Sequence, residues 1–208
     1  MNRSAFTLVL ASGSPRRRAL LKDLGLRLKV VPTEMEEIPR RGEDPVAFAK
    51  RMAREKAERV SLSYPDLWVL GADTIVVLDG KILGKPRDGQ EAGKFLRFLS
   101  GKTHQVVSGF CLRHWNNKQA LCRSVSTQVT FKALTAGEID WYVKTAEPLD
   151  KAGAYAIQGR GAFCVRKIRG SYTNVVGLPL AEVLEVLEKC TGFHLSSLSV
   201  KRPTGSVK

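Results

Sequence analysis

Apolar and polar positions alternate along this chain in two distinct rhythms. An apolar run at 7–11 stops at small residues and is followed by Ser14, Pro15, three arginines and then Ala19, Leu20 and Leu21. The run predicts a strand and 15–24 a helix, because proline suits the first helical turn, where no N–H is missed. Between 45 and 61 the apolar positions Val46, Ala49, Met52, Ala53, Ala57 and Val60 recur at helical spacing, leaving Lys50, Arg54 and Glu58 towards water. Strands are predicted at 28–31 and 68–78, the latter followed by an Asp79-Gly80 turn and a short return at 81–83. Two long β-rich runs, 103–115 and 119–131, flank Asn116-Asn117, a good hairpin pair, and 162–168 makes a further strand. Helices are predicted at 89–100, at 135–145 behind a capping box formed by Thr135 and Glu138, and at 178–190.

Strands alternate with helices until a long hairpin intrudes in the middle. The fold class is therefore α/β with a mixed twisted sheet and flanking helices, not a plain doubly wound sheet. No repeat or linker divides the chain, so one domain is expected over 1–190. The basic tail, 191–208, is expected to be disordered.

Composition changes this picture in three places. With 208 residues, 43% of them hydrophobic, the chain can bury a real core without a staple. Four cysteines, Cys111, Cys122, Cys164 and Cys190, are scattered with no C-x-x-C pair, and reduced core thiols in a cytoplasmic protein are expected. No apolar run approaches the roughly 18 residues of a membrane span. The N-terminus has a faint signal-peptide look, but its apolar stretch is short and reads as a first strand.

The formal net charge of +14 suggests an anionic partner: nucleic acid, an acidic lipid surface or a phosphorylated small molecule. Part of it is uninformative, since the last eight residues, KRPTGSVK, add three positive charges and no acid. A nucleic-acid-binding or division-regulating protein is the alternative to an enzyme. Only 7% of residues are aromatic and no basic–aromatic repeat or recognition motif is present, so nucleic acid is disfavoured.

Several places could carry chemistry. Ser14, Arg16 and Arg17 stand where a strand ends and a helix begins. Cations there oppose the helix dipole, and a bound phosphate would reverse that sign; the alternative is three long side chains in solvent. Glu34, Glu36 and Glu37 form an acidic loop before Pro39, either merely solvated or supplying oxygen ligands to a magnesium-type cation. Asp73 sits amid apolar residues in VLGADTIVVLDG, which is costly unless it is paired or metal-bound. Gly71 and Ala72 before it leave room for something to approach the backbone. Lys56 and Lys85, each a surface lysine if taken alone, could join the arginines around one anion. Ser100-Gly101-Lys102-Thr103 imitates a P-loop but puts Leu96 where its first glycine belongs. Glycines 153, 159, 161, 170 and 177, among Tyr155, Gln158 and Tyr172, fit either a backbone approaching a ligand or a turn-rich connection.

Taken in order, ASGSPRR, REKA, GADTIV, GKPRD, SGKTH, DKAGAYAIQG and GSYTNVVGLPL resemble the Maf family of nucleoside triphosphate pyrophosphatases, from about residue 8 to about 187. The resemblance implies two lobes around a deep cleft, a Maf/Ham1-like fold, and cleavage between the α- and β-phosphates with magnesium or manganese. It implies a cytoplasmic, often dimeric protein whose partner is a nucleoside triphosphate. It assigns the catalytic carboxylate to Asp73 as general base, with Lys56 and Lys85 meeting the leaving charge. Ser14, Arg16 and Arg17 would bind substrate, and Glu37 with Asp73 the metal. The variant with AYAIQG and GADT resembles the branch acting on dTTP and UTP, in which Arg16, Thr74 and Gln158 match positions of substrate choice; purines would be excluded by size if Tyr155 and the glycine-rich backbone close the pocket.

Overall fold

The structure, a computed structural model, describes residues 6–198. In chain order the elements are β1 (Thr7–Ala11), α1 (Pro15–Asp23), β2 (Arg27–Val30), α2 (Pro45–Ser61), β3 (Trp68–Leu78), β4 (Lys81–Leu83), α3 (Gly89–Leu99), β5 (Thr103–His114), β6 (Gln119–Phe131), α4 (Ala136–Lys144), β7 (Val165–Arg169), α5 (Tyr172–Val176) and α6 (Leu180–Thr191). The sheet is mixed and seven-stranded, ordered β2-β1-β3-β5-β6-β7, with β4 added to β3. β1 runs parallel to β2 and β3, whereas the β3-β5-β6-β7 half is antiparallel. The expected α/β class and mixed sheet are what the chain adopts.

One edge of β3 forks. It pairs with β1 as far as Ala11 opposite Gly71, and pairs with β4 only from Val76 opposite Leu83. Residues 72–75 therefore lie between two partners on that edge, while β5 pairs the other edge continuously. Asp73 and Thr74 stand in the fork.

The period-two alternation of β3 sends Val69, Gly71, Asp73, Ile75 and Val77 to the face that α2 covers. Ala53, Ala57 and Val60 pack with Val69 there, and Phe48, Ala49 and Met52 with Ile75 and Val77. The opposite face carries two separate cores. Leu70 and Ala72 pack with Leu21 of α1 and Val183 and Leu187 of α6; Val76 and Leu78 pack with Leu96 and Leu99 of α3 and Tyr142 of α4. These two cores are the lobes, and the fork opens between them.

What approaches Gly71 is helix α2. A Cβ there would lie 2.2 Å from the Ala53 carbonyl oxygen, and one on Gly109, opposite Asp73, 2.2 Å from that of Ala49. Both obstacles are backbone and cannot swing aside. Gly109→Ala should therefore lift α2 from the sheet and cost about 3 kcal/mol, read by denaturant unfolding, with the Lys56–Asp73 contact weakened as well.

Three expectations need correcting. The strand expected at 162–168 begins only at Val165, because Gly159–Cys164 forms a 3-10 turn. Helix α5 was not foreseen; five residues are too few to show a helical period. Cys111 and Cys122 are disulfide-bonded instead of reduced, since they sit directly opposite each other on β5 and β6 with Cα atoms 4.0 Å apart. Cys164 and Cys190 are free thiols as expected. Of the expected tail, α6 runs on to Thr191 and Phe193 is buried against Phe6, while 199–208 lies outside the described residues. No described helix is long and apolar enough to cross a membrane.

Candidate active site

A cavity of about 570 Å³ opens at the fork, lined by Ser14, Arg16, Arg17, Glu37, Lys56, Asp73, Thr74, Lys85 and Gln158, the residues to which the resemblance gives a site role. Its floor is Asp73, 3% exposed, beside Lys56, 5% exposed. Lys56 Nζ donates to Asp73 Oδ1 and to Glu37 Oε1, both at 2.6 Å. Lys56 is thus no surface lysine: the glycine-cushioned docking of α2 carries it inward. Asp73 Oδ2 is buried without a hydrogen-bond partner in the protein.

The two carboxyls that share this ammonium are driven apart. Burial raises Asp73 above the ordinary aspartate range, against the pull of Lys56. Burial alone would raise Glu37 too, but Lys56, Lys85 and Arg17 hold it below its ordinary value. Carboxyls separated in this way suit one as proton acceptor and the other as fixed anion. Of the acidic loop, Glu37 makes the ion pair, Glu34 lines the cavity, and Glu36 is exposed.

The three arginines part company. Arg18 is exposed. Arg17 is buried and spends its guanidinium on the fold: Nε donates to Gly177 O at 2.8 Å, Nη1 to Ser12 Oγ at 3.1 Å and Ala72 O at 2.9 Å, and Nη2 to Thr74 Oγ1 at 3.1 Å. The Ala72 carbonyl is one that the fork leaves without a strand partner. A guanidinium has five N–H donors, so little of Arg17 is left for a phosphate, and it is first of all a strut. Burial lowers its basicity, with Asp73 opposing. Arg16 is the arginine at the cavity mouth, 3.7 Å from Asp150 on the other lobe. Ser14 caps α1, its Oγ accepting from Arg17 N at 3.5 Å.

Thr74 is also tied inward. Its Oγ1 lies 2.8 Å from Ser108 Oγ and donates to Gly177 O at 3.1 Å. Ser108 and Asn174 were missed by sequence reasoning. Asn174 Nδ2 donates to Val106 O and Thr127 Oγ1, both at 3.0 Å, and pins α5 beneath the fork. A serine inside the apolar run VVSGF was the one available signal for Ser108.

The glycine-rich stretch serves mostly packing. A Cβ on Gly153 would strike Val76, on Gly161 the Tyr142 hydroxyl, and on Gly170 Thr127. Tyr155 forms a buried wall, its hydroxyl 2.8 Å from Nε2 of His104, whose pKa burial pushes down to about 4. Lys85 and Gln158 are exposed on the rim.

No cluster of three or more His, Cys, Asp or Glu suited to a metal occurs among the described residues. A magnesium-type cation needs fewer, since one or two carboxylates plus substrate phosphates satisfy it. Asp73, with its unpartnered Oδ2, and Glu37 fit that requirement.

A family model described as Maf-like protein matches residues 7–190. The dTTP/UTP pyrophosphatase of Myxococcus xanthus is 50% identical over 189 residues, covering 91% of this chain and 95% of that protein. That of Salmonella typhimurium is 52% identical over 197 residues, covering 94% and 96%. Among solved structures, a HAM1 protein from Coxiella burnetii shares the fold at a TM-score of 0.51 and 18% identity, covering 88% of this chain and 99% of that one.

Proposed function

This chain belongs to the Maf family, and we propose that it hydrolyses dTTP and UTP to the nucleoside monophosphate and pyrophosphate. The observation that carries the reading is the buried Lys56–Asp73 pair, joined by Glu37 at the cavity's open side, in a cavity lined by Arg16, Lys85 and Gln158.

Magnesium or manganese, held by Asp73 and Glu37, would neutralise phosphate charge. Asp73 accepts a proton from water as the water oxygen bonds to the α-phosphorus. The bond from that phosphorus to the bridging oxygen breaks, and its electron pair leaves with pyrophosphate. Raised basicity makes Asp73 a better acceptor than an ordinary aspartate. Lys56, enclosed by two carboxylates, keeps Asp73 ionised and aligned; its position argues against the role of leaving-group cation expected from the sequence. That role falls to Lys85 and Arg16 at the rim, beside the start of α1. Gln158 offers a donor and an acceptor in one plane to a 4-keto group and its neighbouring N3–H. Family membership also supports a cytoplasmic setting and a homodimer.

Incubation with a panel of nucleoside triphosphates and magnesium or manganese tests this reading. Pyrophosphate should appear fastest from dTTP and UTP and cease with excess chelator. Orthophosphate as first product, or a guanine nucleotide as best substrate, would overturn it.

A further inference from the structure

The strap 156–161 carries Gln158 to the cavity rim, and both of its ends are held by one pair of side chains. On the near side, the Ala156 N–H donates to the Tyr142 hydroxyl at 3.2 Å. On the far side, the Arg160 N–H donates to Glu147 Oε2 at 3.1 Å and the Gly161 N–H to Glu147 Oε1 at 3.0 Å. The two clasping groups are themselves joined, Tyr142 Oη donating to Glu147 Oε1 at 3.0 Å. Gln158 stands between these anchor points.

We infer that Glu147 and Tyr142 are positioning residues for nucleobase selection: they hold the strap so that the Gln158 amide meets the base in one orientation. The inference rests on the proposed role of Gln158. Neither side chain lines the cavity, so their effect on substrate would pass through the strap. Tyr142 is fully buried, which fixes the clasp to the second lobe, and Glu147 is half-buried beside it. Gly159 turns the strap with a φ of 73°, and a Cβ there would lie 3.0 Å from Glu147 Oε2, so the chain passes close over the carboxylate. Burial would raise the Glu147 carboxyl, but the Gly161 and Arg160 N–H groups, Tyr142 and Lys151 hold it below its ordinary value. It therefore remains an acceptor only, which is what three converging donors require. A glutamine at 147 has one acceptor atom in place of two and turns an NH2 group towards a donor.

The experiment measures kcat and KM on dTTP, UTP and CTP for wild type, Glu147→Gln, Tyr142→Phe and Gln158→Ala. Gln158→Ala should erase most of the preference for dTTP and UTP over CTP. Glu147→Gln and Tyr142→Phe should each reduce that preference by about three- to tenfold, chiefly through KM for dTTP and UTP. An unaltered preference in both clasp variants, with Gln158→Ala showing its loss, would overturn the inference and leave Gln158 standing. Equal losses on all three substrates would overturn it also, since a clasp serving stability alone cannot favour one base. An unaltered preference in Gln158→Ala would instead refute the role of Gln158 itself. Tyr142→Phe keeps the buried ring, so the test survives if Glu147→Gln folds poorly.

Discussion

Replacing Asp73 with asparagine should lower turnover on dTTP by at least ~10²-fold and leave the melting temperature close to that of the wild type. The amide keeps the shape of the side chain and can still accept from Lys56 through its oxygen, but it cannot take a proton from water. Lys56 keeps its second partner, Glu37, at 2.6 Å, so no cation is stranded. The sign of the stability effect follows from linkage. Burial raises Asp73 in the folded state, so the fold favours the protonated carboxyl, and the cost of ionisation grows as pH rises through the raised value. Asparagine never ionises and escapes that cost. In the wild type, the acid limb of the kcat profile should lie above the ordinary aspartate range, and the residual activity of the variant should lack it. Near-normal activity with a lowered melting temperature would make Asp73 a structural residue.

Lys56→Met should be nearly as damaging to activity, and also costly to the fold. Methionine fills similar volume but leaves two carboxylates facing each other with one of them buried. Asp73 then rises further, and wherever it holds its proton it cannot act as a base. An uncompensated buried charge costs about 3–5 kcal/mol; the measured loss should fall below that wherever the carboxyl is protonated, because protonation relieves it. The loss should grow as pH rises through the elevated Asp73 value, while activity recovers in part over the same range. Denaturant unfolding and kcat measured across pH follow both trends. A stability loss that does not vary with pH would contradict the pairing.

Long periodic elements were legible before any coordinates. β3 and β6 fall at the residues their β-rich runs predict, and α2 where its apolar spacing predicts. Asp73 was legible as well, because a charge in the middle of an apolar strand demands a partner. The identity of that partner was not. Lys56 looks like any solvent-facing lysine until Gly71 and Gly109, distant in sequence from α2, let the helix settle onto the sheet. Arg17 was legible as a cation at the site, but not as the strut whose donors the fold occupies. The fork exposes the Ala72 carbonyl and α5 presents that of Gly177, and these claim its donors. The disulfide had a signal that was passed over: Cys111 and Cys122 stand five residues either side of Asn116-Asn117, so the predicted hairpin already placed them opposite each other. The clasp by Glu147 and Tyr142 had none, since it depends on how irregular turns fold back.

Hydrolysis of dTTP in ¹⁸O-enriched water, with both products separated and weighed, tests the central claim most directly. Water activated by Asp73 and directed at the α-phosphorus places the label in dTMP and leaves pyrophosphate unlabelled. Label in pyrophosphate, or dTDP with labelled orthophosphate, would place the attack at another phosphorus and contradict the account.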